Sequence, residues 1–400
     1  MVYMAGDNSL SDAGDVDLEE MRKVGSTADV HVVAEFDNEG SRGTNRYLIK
    51  KGGGDLVENL GETDSGDPAV LNKFIAWAVD NYPADHYGLI LWNHGGGWEP
   101  DDFDQYAKTI RAKSFTVREA SQLTATQLKK SLFRPTLRKI LGRGSAKERA
   151  ICADDGSGHS LDTIELGKVL AKTKKTIGDS LDVLGLDACL MSNFEVAYEA
   201  APHVKYLVGS EESEPGDGWP YDTILKALAA QPKKTPATLT TGIVKAYIDY
   251  YKKTGESGVT QSAFNLAKVE DAAKSVDTLA EALLDHMPKA NDEILKAQKK
   301  SMSFFYSKLW DIGQVAKELA KTSSDASVKA AAAAVPKTLK PGAKNFVLAK
   351  SQFGSDYVPC SGLSIYMLPP TYKVSEYYGD LAFVKDYPGW QKMLKGYLSG

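Results

Sequence analysis

The sequence predicts an α/β fold with a mostly parallel central sheet and helices on both of its faces. Short apolar, β-branched runs alternate with segments of helical periodicity, as at 30–36 and 70–78, and this alternation is typical of β–α–β units. The runs are almost continuously apolar, as expected of strands buried on both faces. The length of 400 residues exceeds what one compact core usually holds, so the sequence also favours a second lobe.

Each element has a local signal that predicts it. Strands are predicted at 2–5, 30–36, 46–49, 56–60, 87–92, 183–186, 205–209, 346–349 and 362–366. Asp67 and Pro68 predict a helix start, with aspartate as the N-cap and proline at the first helical position. Asp162, followed three residues later by glutamate, predicts a capping box. Helices dominate the later sequence, so we predict a first domain over residues 1–230 and a mixed helical lobe with late strands over 231–400.

Charge is unevenly distributed along the chain. The formal net charge is -5, which argues against a nucleic-acid partner. Residues 108–149, however, contain twelve Lys and Arg against two Glu, so this segment carries about +10 and the remainder about -15. It lies within residues 99–149, which interrupt the alternation of strands and helices. A segment of that length inside a compact domain is expected to be functional or disordered.

Cysteine usage and hydropathy exclude several classes of protein. Cys152, Cys189 and Cys360 are too few for a disulfide framework, and no CxxC or Cys/His spacing indicates zinc. We therefore predict no metal site. No apolar run reaches the length of a membrane span, and no signal peptide is visible. Because the chain opens directly on the strand at 2–5, we expect an upstream segment in the native protein.

Cys189 and His94 are the residues predicted to carry out chemistry. Cys189 follows a short apolar strand and precedes a predicted helix at 192–201, whose peptide dipoles would favour the nucleophilic thiolate. His94 follows the strand at 87–92 inside a glycine cluster. A parallel sheet brings both to one edge, where the N–H groups of Gly95 and Cys189 would complete an oxyanion hole. A buried structural thiol and a histidine in a tight turn are the competing interpretations.

Two ordered motifs resemble those of the clostripain-like cysteine peptidases, which belong to the caspase, legumain and gingipain superfamily. They are Trp92-Asn-His94-Gly-Gly-Gly, after an apolar strand, and Leu186-Asp-Ala-Cys189-Leu-Met191. Five further stretches are also similar to that family: Val2-Tyr-Met-Ala-Gly-Asp-Asn, Asp154-Asp-Gly-Ser-Gly158, Gly209-Ser-Glu-Glu212, Pro215-Gly-Asp217-Gly-Trp219 and Gly362-Leu-Ser-Ile-Tyr366. The resemblance covers the whole chain and is densest over residues 1–230.

The resemblance implies a caspase-like α/β/α sandwich with a His–Cys dyad. By it, His94 is the general acid/base, Cys189 the nucleophile, and the N–H groups of Gly95 and Cys189 the oxyanion hole. The family cleaves after basic residues, and Asp187 and Asp217 match the positions that line its S1 pocket. Carboxylates suit a guanidinium or ammonium group that enters a confined pocket. From the residues alone, a helix cap at Asp187 and a turn residue at Asp217 remain the alternatives.

The resemblance also gives the basic segment a role. Family members are cut between the histidine and the cysteine, usually by themselves, into two chains that stay associated. We therefore expect self-cleavage within 108–149, with Arg149 or Lys147 at the last cut. A solvated linker is the alternative, and a nucleic-acid arm is less favoured.

Cofactor and location follow from the family alone. Some relatives need calcium, and Asp154-Asp-Gly-Ser-Gly158 is rich in oxygen ligands but lacks the EF-hand spacing. We expect no required cofactor, with calcium left open by the resemblance. Export to the envelope or surroundings of a bacterium is also implied by the family.

Two other functional classes compete with a peptidase. The run His94-Gly-Gly-Gly is similar to the oxyanion motif of α/β-hydrolase lipases, but the chain has no G-x-S-x-G nucleophile elbow. A catalytically retired caspase-like fold, acting as a secreted or cell-surface binding protein, is the other class. The intact His94, Cys189 and both pocket acids argue against it. We therefore predict a cysteine endopeptidase that cleaves protein or peptide substrates after Arg or Lys through a thioester.

Overall fold

The computed structural model describes residues 1–40, 42–98, 151–304, 308–354, 359–370 and 372–399. The basic segment and its predicted cleavage residues, Lys147 and Arg149, lie outside the described residues. Within them, the chain forms one nine-stranded sheet, one three-stranded sheet and helices that pack on both.

The nine-stranded sheet is parallel at its centre and antiparallel at its edges. The described strands are β1 (Val2–Gly6), β2 (Val33–Asn38), β3 (Gly43–Leu48), β4 (Leu56–Gly61), β5 (Gly88–Trp92), β6 (Leu181–Asp187), β7 (Val204–Gly209), β8 (Val259–Asn265), β9 (Ser303–Phe304), β10 (Leu309–Asp311), β11 (Val347–Phe353) and β12 (Ser364–Tyr366). In space the order is β11-β8-β7-β6-β5-β1-β2-β3-β4. The strands from β7 to β2 are parallel, whereas β2, β3 and β4 pair antiparallel, as do β7, β8 and β11. The predicted parallel sheet is therefore confirmed for the centre. Short connections between β2, β3 and β4 exclude parallel crossovers there.

Helices cover the central sheet on both faces. The described α-helices are α1 (Ser11–Val24), α2 (Pro68–Asn81), α3 (Thr163–Ile177), α4 (Phe194–Ala200), α5 (Tyr221–Ala230), α6 (Pro236–Thr254), α7 (Val269–Asp285), α8 (Lys289–Lys299), α9 (Ile312–Thr322), α10 (Ala326–Thr338), α11 (Ala382–Asp386) and α12 (Gly389–Ser399). The predicted caps are confirmed: Asp67 accepts a hydrogen bond from the N–H of Ala69, and Asp162 forms a capping box with Glu165.

The side chains of β1 show how the two layers are separated. Val2 and Met4 pack with the buried face of α1, whereas Tyr3 and Ala5 pack with α2 on the opposite face. Successive residues of a strand point to opposite faces, so one strand serves both cores. Helices α2 and α3 belong to one layer, and α1, α5 and α6 belong to the other.

The later part of the chain completes this sheet and adds a second one. Strands β8 and β11 join the nine-stranded sheet, whereas β12, β10 and β9 form a three-stranded antiparallel sheet. The late strand predicted at 362–366 is Ser364–Tyr366 and pairs with β10. Because the main sheet takes strands from both sides of residue 231, the predicted division there stays a prediction. No helix within the described ranges combines the length and apolarity needed to cross a bilayer.

Candidate active site

The ends of β5 and β6 bring the two residues predicted to be catalytic to the same edge of the sheet. These strands are parallel neighbours with Trp92 opposite Asp187, so the chain leaves both at the same edge of the sheet. A side chain at Gly95 would collide with the carbonyl oxygen of Cys189. Only glycine allows this approach. The structure therefore places the His94–Gly95 turn directly against the backbone of Cys189.

Two asparagines hold this edge in place. The side-chain amide of Asn8 donates to the carbonyl oxygens of Ala5 at 2.8 Å and Ala153 at 2.7 Å. The amide of Asn93 donates to the same two oxygens. These buried bonds connect the end of β1, the end of β5 and the chain that returns at residue 153. They fix the turn that carries His94.

Ser9 is a contact of the imidazole that the sequence did not reveal. Its Oγ lies 3.1 Å from Nε2 of His94. Ser9 belongs to the loop after β1, and β1 is the neighbour of β5 in the sheet. The motif around His94 contains no residue that must orient the ring. The contact between Ser9 and His94 depends on β1 lying beside β5, and the spacing of the motifs in the sequence does not reveal that strand order.

The thiol of Cys189 is buried beneath the loop that follows β7. Its side chain is 2% exposed, and the N–H of Glu214 donates to Sγ at 3.2 Å. The next residue, Leu190, has a φ of 69° and donates its N–H to the carbonyl oxygen of Glu212 at 3.2 Å. A leucine in the left-handed region is strained, so contacts with this loop hold the chain in a sharp turn after the nucleophile.

The prediction that a helix N-terminus favours the Cys189 thiolate is wrong for this conformation. Helix α4 begins only at Phe194, with Asn193 as its cap, and a helix dipole acts within its first turn. Burial instead raises the pKa of Cys189 to about 12, and the carboxylates of Glu214 and Glu212 oppose ionisation further. At neutral pH the group is therefore a thiol.

This burial predicts slow, pH-dependent alkylation of Cys189. Because only the thiolate reacts, the labelling rate with iodoacetamide should rise about tenfold per pH unit from pH 7 to pH 9, without a plateau. Peptide mapping of the labelled intact chain measures the rate at Cys189. The variant Cys189→Ala gives the background from the two other buried cysteines. A rate that is already at its plateau near pH 7 would contradict the burial of the thiol.

The predicted pocket acids, Asp187 and Asp217, differ in their burial. Asp187 is 4% exposed, and its Oδ2 accepts hydrogen bonds from Tyr221 Oη at 2.7 Å and from the N–H of Trp219 at 3.4 Å. Asp187 does not cap a helix. Asp217 is exposed and accepts a hydrogen bond from Tyr250 Oη at 2.8 Å. A Cβ at Gly218 would lie 3.3 Å from Oδ1 of Asp187, so the turn that carries Asp217 sits directly over Asp187.

Glu214 is a third acid at this position, and the sequence did not single it out. Its carboxyl is hydrogen-bonded to that of Asp187, which requires a proton between them. Its Oε1 also accepts from Gln261 Nε2 at 3.2 Å and Trp219 Nε1 at 3.5 Å. Burial raises the pKa of Asp187 to about 6, and burial with the charge of Asp187 raises the pKa of Glu214 further above its usual range.

These acids form ion pairs with no Lys, Arg or His among the residues that the structure describes. Neither Asp187, Asp217 nor Glu214 makes a salt bridge there. Burying carboxylates without a countercharge is costly. A cationic group brought in by a ligand would remove that cost, so the arrangement is suited to bind one.

The oxygen-rich loop from Asp154 to Gly158 does not fit a calcium ion in this conformation. Oδ2 of Asp154 accepts a hydrogen bond from the N–H of Ser65 at 2.9 Å, and Oδ1 accepts from the N–H of Ser157 at 2.8 Å. Oδ2 of Asp7 likewise accepts from the N–H of Gly156 at 3.1 Å. The carboxylates of Asp154 and Asp7 therefore accept hydrogen bonds from backbone N–H groups of the same and neighbouring loops, and these donors take the place of a cation.

A second acidic group links the loop after β7 to the later part of the chain. Ligand atoms of Glu211, Asp311 and Cys360 lie within 4.8 Å of one another and are buried. Glu211 accepts a hydrogen bond from the N–H of Gly362 at 3.0 Å. Lys350 lies near this group: burial lowers its pKa, and the negative charges of Asp311 and Glu211 act in the opposite direction. Because the lysine already supplies a positive charge, we interpret the group as a buried polar contact between the loop after β7 and the later part of the chain.

Comparison with known proteins agrees with the motifs. The model of the clostripain family matches residues 2–142 and 138–396. Clostripain from Hathewaya histolytica is 28% identical over an alignment of 263 residues, and the match covers 59% of this chain and 42% of that protein. The chain thus matches less than half the length of this curated relative.

Two solved structures share the fold over almost their whole length. An inactive zymogen C11 protease from Parabacteroides distasonis has a TM-score of 0.67 at 20% identity, with 96% of both chains covered. A secreted C11 cysteine protease from Bacteroides thetaiotaomicron, in complex with an irreversible peptide inhibitor, has a TM-score of 0.65 at 18% identity, with 98% of both chains covered. These matches confirm the fold predicted from the sequence. Since the family model covers nearly the entire sequence, the chain belongs to the clostripain family.

Proposed function

We propose that this protein is a cysteine endopeptidase that cleaves peptide bonds after Arg or Lys. The observation that carries the proposal is the contact of the His94–Gly95 turn with Cys189, beside buried acids that have no cationic partner among the described residues. A nucleophile, an acid/base group and a cation-binding pocket then lie at one edge of the sheet. Membership of the clostripain family supports the same chemistry.

Catalysis would proceed through a thioester. His94 takes the proton of the Cys189 thiol as the sulfur attacks the scissile carbonyl carbon, and the N–H groups of Gly95 and Cys189 stabilise the oxyanion. His94 then gives the proton to the leaving amine. In the second half, His94 takes a proton from water, the hydroxide displaces the sulfur, and the proton returns to the thiolate. Because the thiol is protonated in the free protein, proton transfer to His94 must accompany attack.

Specificity would come from the acids at the carboxyl end of β6. An Arg or Lys side chain that enters next to Asp187 would supply the countercharge for the Asp187–Glu214 pair. Asp217, which is exposed, would meet the cation at the entrance. Charge-assisted hydrogen bonds of this kind are the strong ones in a confined site.

We also propose that the basic segment is the protein's own activation site. The segment is rich in the residue types that the pocket would accept, and cleavage within 108–149, last at Lys147 or Arg149, would leave two associated chains. The C11 cysteine protease from Bacteroides thetaiotaomicron is a secreted protein, and we propose export for this chain also.

Turnover of matched fluorogenic peptides tests the proposal. Peptides that differ only in Arg, Lys, Asp or Leu at P1 would be incubated with the wild-type protein, before and after nicking by immobilised trypsin. Cleavage after Arg and Lys alone is the expected result. Cleavage after Asp would overturn the specificity. Absence of all cleavage by folded, nicked protein would favour a catalytically retired binding protein.

Catalysis should not depend on calcium. The nucleophile, the acid/base group and the oxyanion donors all come from the chain, and the carboxylate of Asp154 already accepts hydrogen bonds from backbone donors. We therefore expect kcat/KM for an Arg peptide to be the same in EDTA and in calcium. A loss in EDTA that calcium restores, and magnesium does not, would show that the loop rearranges around the ion.

A further inference from the structure

Asp17 is a buried carboxyl that has no part in the catalytic steps proposed above. It lies on the inward face of α1 between the buried Gly14 and Met21 and is 3% exposed. Its Oδ2 accepts a hydrogen bond of 2.6 Å from the indole Nε1 of Trp92. An aspartate at a core position of a helix is costly, and an apolar side chain would suit the packing better. Its presence therefore needs another explanation.

The position of Asp17 is next to the pocket. The Cβ that would be added at Gly218 lies 3.6 Å from Oδ2 of Asp17 and 3.3 Å from Oδ1 of Asp187. The two carboxyls therefore face the same point of the turn that carries Asp217. Glu214 adds a further buried carboxyl at this point, since it is hydrogen-bonded to Asp187.

Within the part of the chain that the structure describes, the charged and titratable groups around Asp17 are almost all acidic. These groups come from the elements packed against Asp17. They are Glu20 on α1, Asp187 at the end of β6, Asp217 in the loop after β7 and Tyr221 on α5. Lys23, on the next turn of α1, is directed to Glu20 and Asp222. Asp17 itself makes no salt bridge within the described part of the chain.

We propose that Asp17 is a fourth carboxyl of the P1 pocket, and that it loses its proton to solvent when a cationic P1 side chain binds. This deepens the proposed function and rests on it. In the free protein the carboxyl is neutral, with its O–H intact. The entering guanidinium or ammonium pairs with the carboxylate that remains, and the released proton balances the charge. Asp17 is then a specificity-determining residue that distinguishes cations from neutral side chains.

The pH dependence of cation binding follows from this exchange. Burial, and then the charge of Asp187, raise the pKa of Asp17 to about 9. A cation favours the carboxylate, so binding competes with the proton below that pKa and strengthens as pH rises towards it. Between pH 7 and pH 9 the affinity for a cation should increase by at least about tenfold. Above the pKa the increase should stop.

The experiment uses agmatine, a guanidinium cation without a carboxylate, as a competitive inhibitor of Arg-peptide cleavage. Its inhibition constant would be measured from pH 6.5 to pH 9.5 in wild type, Asp17→Asn and Asp12→Asn. The asparagine at 17 retains an acceptor for Trp92. Asp12 is an exposed acid on the same helix and controls for a general change in charge. We expect the pH dependence to be lost, and the affinity at pH 9 to fall at least about tenfold, only in Asp17→Asn.

A second measurement does not depend on the folding of the variant. Calorimetry of agmatine binding to wild type in buffers of different ionisation enthalpy reports the protons released, and we expect a net release at pH 7.5. Wild type that cleaves after Arg but releases no proton, or Asp17→Asn with an unchanged pH profile, would overturn the role of Asp17 alone. Wild type that neither cleaves basic peptides nor binds agmatine would overturn the proposed function as well.

Discussion

Replacing Cys189 by alanine is expected to abolish cleavage of Arg and Lys peptides. Removal of the sulfur leaves no group to form the thioester, while the oxyanion donors and the acidic pocket remain. Loss of the nucleophile of a protease triad lowers kcat by about 10⁶-fold, and we expect a fall of at least about 10³-fold here. Initial rates with the Arg peptide measure it.

Cys152→Ala is the matched control for this prediction. Cys152 is another fully buried thiol of the same core, so its loss creates a comparable cavity without touching the proposed nucleophile. Intact mass should also show that Cys189→Ala remains one chain, whereas wild type is cut within 108–149. Basic-specific cleavage that survives in Cys189→Ala would assign the nucleophile elsewhere. A wild-type chain that remains uncut while active would refute self-cleavage.

The variant Asp187→Asn should lose most of its activity on basic substrates. The amide oxygen can still accept from Tyr221 and Trp219, but the negative charge at the centre of the pocket is gone. Removing one partner of a buried, hydrogen-bonded charge pair costs about 2–5 kcal/mol, which corresponds to a fall in kcat/KM of about 30-fold to 5,000-fold. Comparison of Arg and Leu peptides separates the loss of charge recognition from a general loss of activity.

An exposed acid on a neighbouring helix provides the control for Asp187→Asn. Asp222 lies in the first turn of α5 with its side chain 38% exposed and paired loosely with Lys23. Asp222→Asn removes the same charge close by but outside the pocket, and kcat/KM for the Arg peptide should stay within a few-fold of wild type. An unchanged preference for Arg over Leu in Asp187→Asn would mean that other groups recognise the cation.

The sequence predicts the parts of the site that lie within single motifs. His94 and Cys189 each follow an apolar strand, and a parallel sheet has one edge where such residues meet. Gly95 could be identified because glycine permits a close approach of two backbones. The central parallel strands follow from the same alternation of apolar runs and helices.

The remaining parts depend on which elements become neighbours. Ser9 reaches His94 only because β1 lies beside β5, and Asp17 reaches Asp187 only because α1 packs over the end of that sheet. Glu214 comes from a loop more than twenty residues after Cys189. The pKa of the Cys189 thiol is raised and not lowered for the same reason. The loop buries the thiol, and the next helix begins only at Phe194, too far along the chain to favour the thiolate.

Glu214 touches both halves of the machinery at once. Its N–H binds the sulfur of Cys189, and its carboxyl shares a proton with Asp187. A cation that moves Glu214 as a whole would also take its backbone N–H away from the sulfur. Occupancy of the pocket and reactivity of the thiol then become linked quantities, and linkage is reciprocal. A group bound to the sulfur will alter the affinity of the pocket as much as a cation in the pocket alters access to the sulfur.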